Sequence, residues 1–196
     1  MRSRKKKPQT ALASVLGQIT VFSSPREPSR GLLRYGPLTL KCALGRSGVT
    51  YLKREGDGAT PAGRLRLLRL ILRPDRGLRP RTALPCRVLR PNDGWCEDPR
   101  SGLYNRPIRL PSAAGHETMW RDDRLYDIVG VLDWNMRPRV RGRGSAIFLH
   151  LARPGHRPTA GCIALEKKDL RLLLAAVGPK VEFVVGGKPR RRRTGG

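Results

Sequence analysis

Apolar residues fall along this chain in short runs, several of them alternating with polar ones and separated by glycine and proline, a spacing that predicts strands and turns. Ile19 to Phe22, Leu32 to Tyr35 and Leu38 to Leu44 are three such runs, with breaks at Pro25, Pro28, Gly31 and a Gly36-Pro37 turn. Arg64 to Arg73 (R-L-R-L-L-R-L-I-L-R) alternates at first as a strand would, with a helical face as the alternative. Leu125 to Trp134 predicts another strand, with Tyr126, Ile128 and Val129 to Leu132 inside a sheet. Ser145 to Leu151 is short and apolar enough to be central, and Lys180 to Val185 closes the series. One segment has clear helical spacing: Leu165 to Val177 sets Leu170, Leu173 and Leu174 on one face before a Gly178-Pro179 stop. From Pro74 to Pro111 turn formers dominate, and the expectation is a long irregular loop of the functional or lid-like kind.

Composition supports this picture. The 196 residues include 22 glycines and 17 prolines, which favour turns and short strands over long helices. The expected organisation is a basic disordered arm over 1–15, one catalytic-sized domain over 16–185, and a basic disordered tail over 186–196. No internal repeat is visible.

The formal charge of +26 raises nucleic acid as a partner. No zinc-finger spacing, RNA-binding aromatic motif or helix-turn-helix pattern accompanies it, so no specific nucleic-acid partner is expected. Solvated arginine-rich surface explains the charge, and an anionic cell-wall polymer suits it equally. The four cysteines form no C-x-x-C pair, which removes zinc-ribbon and thioredoxin-like readings. Cys86 and Cys96 could pair across a loop in an oxidising compartment. Met1 to Lys7 is a fair signal n-region, but Ala11 to Phe22 is only mildly apolar and no small-x-small cleavage site follows. Gln18 to Phe22 therefore reads as an early strand. No run is long enough to span a membrane.

Candidate chemistry concentrates between Ser145 and Leu165 (S-A-I-F-L-H-L-A-R-P-G-H-R-P-T-A-G-C-I-A-L). His150 ends an apolar strand, and Cys162 follows Gly161 twelve positions later. A cysteine attacks only as thiolate, so it needs a base, and a strand-held imidazole could serve. A glycine before the cysteine permits close approach of a substrate carbonyl, and nearby backbone N–H groups could hold an oxyanion. The helix after Cys162 would favour a thiolate if its start lies close enough. Plain readings stand beside this one: a buried apolar cysteine, and a hydrogen-bonded core histidine. The equal spacing of His150, His156 and Cys162 also admits three zinc ligands, although it fits no standard site. The glycine-rich Lys53 to Gly63 loop lacks the Gly-Lys-Ser/Thr of a phosphate cradle. Asp122 and Asp123 read as partners of nearby arginines or turn caps.

His150, Thr159, Ala160, Gly161, Cys162 and Ile163 together resemble the catalytic motif of the L,D-transpeptidase (YkuD-like) family. That motif is a histidine after a strand, a variable loop, then Ser/Thr, often His, and Gly-Cys followed by an apolar residue. Thr60-Pro61-Ala62-Gly63 resembles the family's T-P-x-G-x-aromatic step, with Leu65 in the aromatic place. The resemblance runs from Leu38 to Val185. Ala160 and Ala164 replace the usual histidine and a common polar residue, the His150–Cys162 loop is shorter than usual, and Leu151 carries no hydroxyl. A backbone carbonyl would then have to orient His150.

The resemblance implies a mainly β, sandwich- or barrel-type domain with one helix after the nucleophile. It implies Cys162 as nucleophile and His150 as proton acceptor and donor, without cofactor or metal. Gly161, Thr159 and Arg153 are supporting candidates, Thr159 to shape the loop and Arg153 to meet a substrate carboxylate. The implied partners are peptidoglycan stem peptides and an acceptor amine on a second stem peptide or a protein, or else water. The implied setting is the periplasm or cell envelope. The rival reading is a basic module that binds nucleic acid or wall polymer on a degenerate version of the fold.

Overall fold

In the computed structural model, which describes residues 17–186, the alternating runs become strands because each puts its apolar positions on one side. The expected basic arm over 1–15 and all of the tail beyond Gly186 lie outside the described residues. β1 (Gln18–Ser23), β2 (Arg30–Tyr35) and β3 (Leu38–Ala43) form an antiparallel meander. β2 buries Gly31, Leu33 and Tyr35 and exposes Arg30, Leu32 and Arg34. Its register with β3 pairs Tyr35 with Leu38, leaving Gly36-Pro37 as the turn, with Gly36 at φ 54°.

The remaining strands are β4 (Val49–Thr50), β5 (Thr60–Pro61), β6 (Gly63–Leu72), β7 (Cys86–Val88), β8 (Asp93–Cys96), β9 (Pro107–Arg109), β10 (His116–Thr118), β11 (Ile128–Leu132), β12 (Phe148–Leu151), β13 (Ile163–Leu165) and β14 (Glu182–Val185). Nine lie in the order β11-β12-β13-β3-β2-β1-β14-β6-β7, and a further β11–β6 pairing closes the first eight into a barrel. β6 makes closure possible through its length: residues 63–66 pair with β14, and residues from Leu67 on pair with β11. A barrel leaves few edges open to other chains. The α-helix α1 (Lys167–Ala176) adds Leu170, Leu173 and Leu174 to the core that also holds Leu33, Leu65, Leu149, Ile163 and Phe183. Each such fully buried side chain contributes roughly 1.5–3 kcal/mol of transfer free energy. The domain is mainly β, as expected, with α1 its one α-helix among the described residues.

A second, smaller core lies on the opposite face of β11 and β12, under the three-stranded sheet β10-β8-β9. Trp95 and Phe148 meet edge to face at 5.1 Å there, with Tyr126 against Phe148 at 6.0 Å. Strand alternation decides what else faces this side. Leu149 and Leu151 belong to the main core, while Phe148 points the other way, and His150 goes with it.

Three expectations need correction, and a fourth needs filling in. The stretch from Pro74 to Pro111 is irregular over most of its length, as expected, but three short strands, β7, β8 and β9, lie within it. These strands are three or four residues long, and β8 opens with Asp-Gly, a turn signal by composition. Asp93 is tolerated there because Arg87 and Arg109 both pair with its buried carboxylate. The strand from Leu125 begins only at Ile128, so Tyr126 precedes the sheet. The strand from Ser145 begins at Phe148. Cys162 does not lead directly into the helix, because β13 intervenes and α1 starts at Lys167.

Candidate active site

Parallel pairing of β12 with β13 sets Leu149 beside Ile163 and His150 beside Ala164. One step back, Phe148 lies beside Cys162, and its N–H donates to Cys162 Sγ at 3.3 Å. Cys162, just before β13, and His150, on the neighbouring β12, therefore face the same side, one diagonal step apart, roughly 8 Å between Cα atoms by strand spacing and rise. Both line one cavity of about 260 Å³. Ala164, the residue beside His150, leaves room over the imidazole.

His150 is oriented by the chain itself. Its Nδ1 lies 2.8 Å from the Leu151 carbonyl oxygen, which can only accept, so Nδ1 carries the proton and Nε2 keeps its lone pair. The backbone thus does what a hydroxyl after the histidine would otherwise do. Tyr126 packs edge-on against the ring at 5.3 Å, and its hydroxyl donates to Glu117 Oε1 at 3.1 Å. Burial, then the charges of Arg121 and Arg153, push the imidazole down to about 4, against the Leu151 carbonyl and Asp123, which favour its protonation.

The thiol is also neutral at rest. Burial pushes Cys162 up to about 12, with Phe148 N–H pulling the other way. Its S–H donates to the Ala146 carbonyl at 3.2 Å. The α1 start is five residues further on, roughly 15 Å of extended chain, so the helix dipole, which acts within its first turn, does not explain the thiol's state. What the arrangement offers is a thiol and a poised neutral base.

The loop that presents Cys162 is sewn to the Thr60-Pro61 step. Thr159 Oγ1 donates to the Cys162 carbonyl at 2.7 Å and accepts the Gly161 N–H at 3.1 Å. Thr159 bridges to Gly45, and the Gly45 N–H donates to the buried Thr60 hydroxyl at 2.8 Å. Gly161 stands at φ 142°, and a Cβ there would come within 2.8 Å of the Ala59 carbonyl oxygen. Its lack of a side chain is thus required by the chain's own backbone. The two sequence segments that carry the resemblance are one physical unit.

Arg153 is exposed at the cavity mouth, without an ion-pair partner among the described residues. Ala160 also lines the cavity, exposed. His156 lies elsewhere, in a groove with Phe22 and Cys42, so the structure does not gather His150, His156 and Cys162 at one point. Among the described residues no group of three or more metal-ligating side chains is assembled. Cys86 and Cys96 are free thiols in different sheets. Asp123 pairs with Arg121 and caps the Leu125 N–H, while Asp122 is exposed.

Sequence reasoning missed several residues here. Asn105, in a turn of the irregular stretch, is buried and uses its whole amide. Its Oδ1 accepts Trp95 Nε1–H at 2.9 Å and Ala146 N–H at 3.2 Å, and its Nδ2 donates to the Trp134 and Asn135 carbonyls. It thereby fixes Ala146, the thiol's partner, at φ 50°. Glu55, Glu97 and Glu117 line the cavity together with Arg121 and Arg153, and Arg121 is paired with Glu117 at 3.1 Å. Asn105 was marked only as part of a stretch dominated by turn formers, and no local signal marked the glutamates.

A family model described as the L,D-transpeptidase catalytic domain (YkuD) matches residues 29–185. No curated protein and no solved structure gives a match.

Proposed function

We propose, since the chain belongs to the L,D-transpeptidase catalytic-domain family, that it acts on peptidoglycan stem peptides through a thioester at Cys162. The observation carrying this reading is the shared face: Cys162 and a tautomer-fixed His150 open into one cavity. Because both groups rest uncharged, the chemistry runs by general base catalysis rather than from a preformed thiolate. Cys162 turns from the Ala146 carbonyl toward the substrate. Sγ attacks the carbonyl carbon at the L-centre of a diaminopimelate residue while His150 Nε2 takes the thiol proton. The Gly161 N–H, on Thr159 Oγ1 at rest, is one hydrogen-bond exchange from the resulting oxyanion. The C–N bond to D-alanine breaks, and the imidazolium gives its proton to the departing amine.

The second half reverses the roles. An acceptor amine, or water, attacks the thioester and yields its proton to Nε2. The thiolate leaves and is reprotonated. Cations and carboxylates both line the cavity, which suits a substrate that carries both signs, with Arg153 meeting a carboxylate. This chemistry expects a working place in the cell envelope; among the described residues no helix is long and apolar enough to cross a membrane. Purified protein incubated with muropeptides is expected to release D-alanine or form cross-links, and Cys162→Ala to abolish both. Undiminished turnover by Cys162→Ala would overturn the proposal.

A further inference from the structure

Behind the active site, on the other side of Asn105 and Trp95, lies a second cavity of about 380 Å³. Its walls carry five arginines, Arg66, Arg69, Arg106, Arg137 and Arg139, and a single acid, Asp133. That acid is already engaged: Asp133 Oδ1 accepts the Arg66 N–H at 2.7 Å, and Oδ2 accepts Arg66 Nε–H at 2.8 Å. The other four guanidinium groups have no ion-pair partner among the described residues. The Nε–H groups of Arg69 and Arg139 are buried there and lack any hydrogen-bond acceptor. Buried donors almost always find partners, and an unmet one is destabilising. Burial and the adjacent Arg106 charge lower the Arg139 guanidinium, a sign that like charges crowd here without a counterion.

Arg106 and Arg137 are exposed, as Arg26 and Arg90 are elsewhere on the surface, and the two buried Nε–H groups of Arg69 and Arg139 set this cluster apart. We propose that Arg69, Arg106, Arg137 and Arg139 form a binding site for a compact phosphate-type oxyanion carrying two or more negative charges. Guanidinium forks match phosphate oxygens in pairs, and the cavity falls within the ~300–1,000 Å³ range of small-molecule sites. A monocarboxylate would leave three of the four charges uncompensated, whereas pyrophosphate neutralises most of them. A polymer with one charge per link would bring that density only by folding into the cavity. The site is separate from the thioester chemistry: its lining includes neither Cys162 nor His150.

The test is calorimetric titration of the full chain with sodium pyrophosphate in 0.15 M salt, roughly the ionic strength at which exposed charges more than ~8 Å apart are screened. Saturable one-site binding is expected, with sodium acetate at equal ionic strength giving none. Arg69→Gln with Arg139→Gln should weaken pyrophosphate at least tenfold. The charge-matched Arg26→Gln with Arg90→Gln should leave it within twofold. Should the first pair fail to fold, Arg106→Gln, at an exposed position, is expected to weaken binding at least threefold. Absence of saturable binding overturns the site. So does unchanged affinity in the Arg69/Arg139 or Arg106 variants, or an equal loss in the Arg26/Arg90 pair.

Discussion

At His150 the chemistry turns on which ring nitrogen is free and on the ring staying neutral. A histidine in the unfolded chain titrates near 6.5, whereas burial holds folded His150 at about 4. Between those values the unfolded chain binds the additional proton. The stability contributed by neutral His150 is thus fully present above about 6.5 and lost as pH falls toward 4, on the order of 3 kcal/mol in all. His150→Gln should flatten that part of the stability–pH curve in denaturant titrations. With His150 as the proposed base, the same shift is expected to place the acid limb of kcat/KM at about 4, well below an ordinary histidine; an acid limb at 6.5 would count against that role. Arg153, exposed at the mouth, is expected to act on binding: Arg153→Gln should raise KM for donors ending in a free carboxylate severalfold and leave kcat nearly unchanged. Gly161→Ala meets both a positive φ and the Ala59 carbonyl. It should lower stability by roughly 1–3 kcal/mol in chemical denaturation and activity with it.

Among the elements, the Thr60-Pro61 strand matters because it anchors the nucleophile loop at a distance. Thr60→Val keeps the shape but removes the acceptor of the Gly45 N–H, leaving a buried donor unmet at a cost of about 1–3 kcal/mol. Faster hydrogen exchange at Gly45 and lower kcat, with Cys162 still present, are the expected readouts. This linkage also shows what the sequence could carry. Strands with clean alternation, such as β2 and the first half of β6, were legible because one face is buried and the other wet. The helix was legible from its leucine spacing. β7 to β10 were not, because strands of three or four residues take their stability from tertiary pairing, including a buried Asp93 that composition assigns to a turn. β13 hid for a similar reason: three apolar residues between Cys162 and the helix are too short a run to show alternation. Cys162 and His150 stood out by residue type, and the face they share followed from strand register. Asn105 and Glu117 reach the site only through the small sheet and its loops, contacts that no local pattern encodes.

Over the whole molecule, a formal charge of +26 guarantees attraction to polyanions of many kinds. That attraction is expected to fall steeply between 50 mM and 500 mM salt, as counterion release requires, while thioester formation at a buried cavity changes much less. A basic module on a degenerate fold would show the first behaviour and no thioester at all. Comparing polyanion retention with acyl-enzyme yield across salt concentrations separates the two. The barrel holds His150 on β12 and Cys162 at the entry to the neighbouring β13, and the proposed reaction rests on one covalent bond at Cys162. Intact-mass and peptide mass spectrometry of the protein quenched in acid during turnover of a tetrapeptide muropeptide tests it most directly. An adduct equal to the donor minus D-alanine is expected, mapped to Cys162 and missing from Cys162→Ala. An adduct on any other residue, or release of D-alanine by Cys162→Ala at the full rate, would contradict it.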